Sequence, residues 1–206
     1  MPLQNRVTPF GDIVAIADRG TFMGNRGIIH DPATRTLLGR RWASKAWIVC
    51  LCDYKGVRRR VMGGRSWTEL FFVDEATALA AGHRPCKECR YPDHQRFRRA
   101  WQAARGGDLP RADDIDRVLH AERLDGRAKR KHPARLGDLP DGAMIGEDGS
   151  AWLVSGRRLL LWTPFGYGAE RRLPASATVA ALTPPSVLGA IRGGYAVQRH
   201  PSALER

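Results

Sequence analysis

The chain has 206 residues, 34 of them Lys or Arg against 21 Asp or Glu, for a net charge of +13 and a pI near 10.6. A 43% hydrophobic share is enough for a core and excludes a disordered basic tail. No apolar run of about eighteen residues occurs, so no membrane span is expected.

The opening MPLQNRVTPFGD lacks an apolar core, so no secretory signal is expected. Four cysteines then point to thiols or metal in a reducing cytoplasm rather than to disulfides. The charge calls for a polyanion, and nucleic acid is the commonest one. The expected partner is DNA, with RNA not excluded, and the expected location is cytoplasmic and nucleoid-associated.

In chain order, residues 5–16 alternate loosely and run into Asp18-Arg19-Gly20, the pattern of a strand and a loop. In MGNRGIIHD, residues 23–31, Gly24 and Gly27 permit close backbone approach, and Arg26 between them is a candidate phosphate contact. Neither the glycine spacing nor the lysine of a nucleotide-binding fingerprint is present. His30 beside Asp31 is a candidate base or ligand, although a single histidine is more often an ordinary core or surface residue.

KAWIVCLCD, residues 45–53, is continuous, β-branched and aromatic, which predicts a strand. Lys55-Gly56 reads as a turn, and residues 57–62 as a returning strand. Arg58 and Arg60 then share one face, from which they can contact a phosphate backbone. In a regular strand Cys50 and Cys52 sit about 6.5–7 Å apart on one face. Two sulfurs on one zinc, each bonded at about 2.3 Å, are closer than that, so both ligate only with distortion. Cys50 is also a candidate nucleophile, or simply a buried thiol. SWTELFFV, residues 66–73, predicts a third strand that carries Glu69 among apolar neighbours, as a candidate catalytic carboxylate or an arginine partner.

Asp74 is placed to cap a helix over residues 75–81 that Gly82 ends. Cys86-x-x-Cys89 follows. The turn between these cysteines aims both thiols at one point, half of a tetrahedral zinc site. Arg84, Lys87 and Arg90 surround it, lowering thiol pKa and attracting anions. A buried thiol pair and a redox pair remain alternatives. Residues 92–105 predict an amphipathic helix, with Phe97, Trp101 and Ala104 on one stripe and Arg96, Arg98, Arg99 and Arg105 on a basic face.

Asp113 opens another helix, with Ile115, Val118 and Leu119 on one face. His120 and Glu122 have the His-x-Glu spacing of zinc deaminases, but there the Cys-x-x-Cys follows, whereas here it precedes. His120 stays a candidate base. GRAKRKH, residues 126–132, with Lys129, Arg130 and Lys131, reads as an exposed, flexible basic segment that orders on a polyanion. From Leu139 short apolar runs alternate with Gly-containing turns, a β-meander. Phe165 and Tyr167 offer rings for base stacking or for a core edge. Ser186 is placed to cap a last short helix, and the tail from Tyr195 reads as peripheral.

The segment EATALAAGHRPCKEC, residues 75–89, is similar to the second cysteine pair of the Ada-type methylphosphotriester repair domain. That family carries an alanine-rich helix followed by Gly-x-Arg-Pro-Cys-x-x-Cys, matched here by Gly82, Arg84, Pro85, Cys86 and Cys89. The resemblance covers residues 74–93. It implies a small zinc module, with Cys86 and Cys89 as ligands, that touches a nucleic-acid backbone. The family's first pair is Cys-x-x-x-Cys, and its first member accepts a methyl group. This chain has Cys50-x-Cys52 and a longer gap to Cys86, so methyl transfer does not carry over.

The expected fold class is α+β, in three parts: an N-terminal module with the cysteine knuckle (1–107), a basic helical connector (108–138) and a small β-rich unit (139–206). The expected function is a zinc-containing DNA-repair or DNA-processing protein acting on damaged or single-stranded DNA. Such an enzyme would be a cysteine alkyl acceptor, a glycosylase or lyase, or a nuclease. The alternatives are a non-catalytic nucleic-acid-binding module with structural zinc, and a metal-dependent nuclease or other hydrolase.

Overall fold

The structure is a computed structural model that describes residues 1–57 and 60–204. It is a mixed α/β arrangement; the described residues form four α-helices, two six-stranded sheets and two small two-stranded ribbons. No helix among them is long and apolar enough to cross a membrane.

Packing converges on helix α1, Glu75–Ala80, every residue of which is buried. Asp74 starts it as predicted, its Oδ1 accepting from the Thr77 N–H at 2.8 Å and the Thr77 hydroxyl at 2.7 Å. Ala78 and Ala81 pack with Val7, Phe22, Val49 and Leu70 of the first sheet. Ala76 and Ala80 pack with Met144, Leu153 and Leu160 of the second. Leu79 joins Phe97, Trp101, Ile115 and Val187 on the other helices. These are α2 (Tyr91–Arg105), α3 (Ala112–Arg123) and α4 (Pro185–Arg192). A helix enclosed on every side needs small side chains, which accounts for its alanines.

The first sheet runs Ile13–Ala15, Gln4–Val7, Leu70–Phe72, Phe22–Asn25, Ile48–Leu51, Arg84–Pro85. Gln4–Val7 runs parallel to Leu70–Phe72, as does Ile48–Leu51 to Arg84–Pro85; the other pairs are antiparallel. The parallel pair at the Arg84–Pro85 edge matters most, because it sets the residue after Pro85 beside Cys50. Gly24 lies between the flanking strands, opposite Val49 and Leu70. A Cβ there would be driven into the Ile48 carbonyl and within 2.9 Å of the Phe72 ring. Gly24→Ala is therefore expected to cost about 3 kcal/mol, read as a lower denaturation midpoint in urea at unchanged slope.

The second sheet is antiparallel throughout: His132–Arg135, Thr178–Ala181, Met144–Glu147, Ser150–Ser155, Arg158–Thr163, Gly166–Arg171. Its central strands form the meander expected after Leu139. Asp148 and Gly149, both with positive φ (47° and 76°), make one of its tight turns.

Several expectations change. Residues 57 and 60–62 form no strand; Met62 has φ 54°, and its N–H turns to Glu69 Oε2 at 2.8 Å. Arg58 and Arg59 lie outside the described residues. The basic stretch 126–132 is ordered: Ala128–Lys129 pairs with Leu124–Asp125, and His132–Arg135 joins the second sheet.

The tail is not peripheral either. Tyr195 is 3% exposed. Its hydroxyl donates to Glu75 Oε1 at 2.6 Å, and the N–H groups of Gln198 and His200 reach Glu75 Oε2 and Asp74 Oδ2 at 2.9 and 3.0 Å. Ser186 lies inside α4 rather than capping it, and donates through N–H and Oγ to Glu122 at 3.0 and 2.6 Å.

Candidate metal centre

The parallel pairing of Ile48–Leu51 with Arg84–Pro85 carries one residue further, where the Cys86 N–H donates to the Val49 carbonyl at 2.9 Å. Cys86 is thereby fixed next to Cys50. The turn over residues 87–90 then returns Cys89 to the same point. The sulfurs of Cys50, Cys86 and Cys89 all lie within 4.8 Å of one another. Ligand sulfurs on a tetrahedral zinc are about 3.8 Å apart when each bond is about 2.3 Å. Small rotamer adjustments therefore bring the three thiols onto one ion, and three soft sulfurs suit zinc. Among the described residues this is where three or more Cys, His, Asp or Glu side chains are grouped closely enough to hold a metal.

The electrostatics describe three thiols sharing their protons. Hydrogen bonds from Cys50 and Cys89 pull the Cys86 thiol strongly down, helped by the Glu88 N–H at 3.4 Å from its sulfur. Those same bonds to Cys86 and Cys89, together with burial, push Cys50 up. At Cys89 the bond with Cys50 pulls down, but the bond with Cys86 and burial outweigh it and leave the thiol raised. One thiolate among two thiols is the starting state for a metal that expels the remaining protons.

The elements behind the cluster are tied together by buried charge. Arg90, the residue after Cys89, is 1% exposed and pairs with Glu75 at 2.8 Å and Asp93 at 2.9 Å. Its guanidinium carbon stands 4.7 Å from the centre of the Phe22 ring. This ties the cysteine turn to α1 and to the first turn of α2.

Cys52 falls outside the group. The strand ends at Leu51, so Cys52 turns outward, is exposed, and lies 3.5 Å from the Thr21 carbonyl. Of the four candidate cysteine ligands, the structure brings together Cys50, Cys86 and Cys89.

The other singled-out residues are scattered. His30 is 2% exposed, with Nδ1 2.7 Å from Thr68 Oγ1 and Nε2 3.0 Å from the Gly64 carbonyl, so both ring nitrogens are engaged in holding a loop. Glu69 is 4% exposed and accepts the Met62 N–H. His120 lies 2.9 Å from Arg123 and edge-on to Trp42. These three do not form a group with one another or with the cysteines.

Of the arginines expected to contact nucleic acid, Arg26, Arg84 and Arg90 are interior. Arg84 makes a two-pronged pair with Asp116 at 2.8 and 2.7 Å. Arg60, Lys87, Arg99, Arg130 and Lys131 are exposed. Arg98 is half-buried and donates to the Pro110 carbonyl at 2.6 Å, and Lys129 donates to the Ala80 carbonyl.

His94 is a candidate that sequence reasoning missed. It is 4% exposed, sits one turn into α2, and its Nδ1 is buried with no hydrogen-bond partner among the described residues. Burial, then Arg84 and Arg98, hold its pKa down to about 4. It is therefore neutral at physiological pH, as a ligand must be, although it lies outside the 4.8 Å group. The signal was available in the spacing, since Cys86-x2-Cys89-x4-His94 places an imidazole where the helix begins.

Comparison of the chain with protein-family models, with curated proteins and with solved structures returned no match.

Proposed function

We propose that the protein holds zinc through Cys50, Cys86 and Cys89 and binds DNA, damaged or single-stranded, in repair or processing. The observation that carries this reading is the convergence of three sulfurs within 4.8 Å on a chain of net charge +13. The similarity of residues 74–93 to the Ada-type domain supports it, since two of the three sulfurs are those the resemblance implies. Three thiolates leave one tetrahedral position for an outside group, or for His94 after a movement of its ring.

A second reading, a non-catalytic binder with structural zinc, draws on the burial of Cys50 and Cys86, at 7% and 8% exposure. Thiolates so enclosed organise the sheet edge and the start of α2 more readily than they meet a substrate. The partly exposed Cys89 is the sulfur that would distinguish the two.

The test is binding of a single-stranded oligonucleotide across a salt series, with metal content measured on the same samples. Arg99→Gln, Arg130→Gln and Lys131→Gln remove exposed charges. Each is expected to reduce the log–log salt slope by about 0.7 for every phosphate that the variant no longer neutralises, while leaving zinc content unchanged. A wild type that retains zinc yet binds no nucleic acid at low salt would defeat the proposal. Chemically altered DNA that then acquires a Cys89-dependent modification would favour the enzymatic reading over the structural one.

A further inference from the structure

A second polar cluster uses none of the cysteine centre's residues. Trp47 has two guanidinium carbons, those of Arg26 and Arg123, each 3.8 Å from a ring centre. Both arginines are 1% exposed. The half-buried Lys129 acts on both, its ammonium donating to the Ala80 carbonyl. His83 completes the group, 0% exposed, with its Nε2 accepting from Arg26 Nε at 3.3 Å.

The acceptors offered to these cations are almost all neutral. Arg26 reaches the Gly11 carbonyl, Arg123 reaches the Gly82 and Lys45 carbonyls, and Lys129 reaches that of Ala80. Among the described residues no carboxylate stands within salt-bridge distance of any of the three. Two acids act on the group from beyond contact, Asp12 on Arg26 and Asp116 on Arg123, and Arg84 already holds both oxygens of Asp116.

Two donors have no hydrogen-bond partner among the described residues, Arg26 Nη2 and Arg123 Nε. Stacking on an indole does not satisfy them, because guanidinium N–H bonds lie in the plane of the group and point past the ring edge. The first faces the Gly11 turn, where a Cβ built on Gly11 would stand 3.7 Å from Arg26 Nη2 in ordinary contact. Buried charge without a counter-charge is costly. Here three cations meet with no carboxylate in direct contact among the described residues, and two of their donors are unfilled.

We propose that Arg26 and Arg123 on the Trp47 ring, with Lys129 near both, form a binding site for a phosphate group. A carboxylate would satisfy one planar guanidinium. Three cations held on separate elements, with donors left over, suit a tetrahedral oxyanion with acceptors on every side. The electrostatic stress runs the same way. Burial first, then Arg26 and Arg123, hold Lys129 down to about 7, a depression that a bound dianion would relieve. The phosphate has two possible sources, a free phosphate ion or the terminal phosphate of a nucleic-acid strand.

The experiment is thermal melting and calorimetric titration of the full chain with inorganic phosphate, at ionic strength matched with potassium chloride. Wild type is compared with Lys129→Met, which keeps the stem and changes the net charge by one unit. Non-specific attraction is then nearly the same in both proteins.

Wild type is expected to melt higher in phosphate, and Lys129→Met to bind phosphate at least tenfold more weakly. In phosphate-free buffer Lys129→Met should be as stable as wild type or more so, because a buried charge has been removed. Single-stranded oligonucleotides with and without a 5′-phosphate separate the sources. Tighter binding of the phosphorylated strand, lost in Lys129→Met and competed by inorganic phosphate, identifies a strand end. Response to the free ion with no preference between strands identifies free phosphate. The absence of any phosphate response in wild type, or an equal response in Lys129→Met, overturns the site. Neither result depends on whether the cysteines hold zinc.

Discussion

Cys86→Ser is expected to purify with about a tenth or less of the wild-type zinc and to melt well below it. A ligand present at about a thousand times its dissociation constant adds about 4 kcal/mol of stability. For a chain of this size that corresponds to about 8–16 °C in melting temperature. Cys50→Ser should behave alike, because its sulfur faces the same point from the neighbouring strand. Cys52→Ser should keep both zinc and stability, since that thiol is exposed and outside the group. Elemental analysis and melting of the three variants side by side check the set. Equal zinc loss in all three would mean that the centre is not the one described.

The second large effect concerns the charge pair behind the centre. Arg90→Met leaves Glu75 fully buried, with only the Tyr195 hydroxyl and the Gln198 N–H to hold its charge. Removing one partner of a buried pair costs about 3–5 kcal/mol. Glu75 lies on α1, where three packing clusters meet, and Arg90 directly follows Cys89. Zinc affinity should therefore fall with stability. Adding Glu75→Gln to Arg90→Met should restore part of the loss, since the unpaired carboxylate disappears. Urea denaturation of the single and double variants measures the coupling. A double variant no more stable than Arg90→Met would argue that Arg90 acts by packing on Phe22 rather than through its charge.

Local features were legible where local chemistry decides them. Asp74, the alanines and Gly82 outline α1 because capping and glycine chemistry act within a few residues. The stripe of Phe97 and Trp101 outlines α2 for the same reason. The Cys86–Cys89 spacing pointed to two of the three clustered thiols, and strand geometry said that Cys50 and Cys52 would share one zinc only with distortion.

What was not legible depends on partners far along the chain. Arg26, Arg84 and Arg90 read as surface charge because nothing adjacent reveals Trp47, Asp116 or Glu75. The tail read as peripheral because its bonds to Asp74 and Glu75 span 120 residues or more. Residues 57–62 read as a returning strand, but Met62 takes a left-handed backbone and turns its N–H to Glu69. The meeting of Cys50 with Cys86 required the parallel pairing of two short strands, which neither announces by itself.

The most direct test of the central claim is zinc K-edge X-ray absorption on the purified full chain, with metal content measured in parallel. The account predicts about one zinc per chain, with three sulfurs at about 2.3 Å and one lighter atom completing the shell. A chain that takes up no zinc after reduction and metal addition, or a shell of nitrogen and oxygen alone, would contradict it.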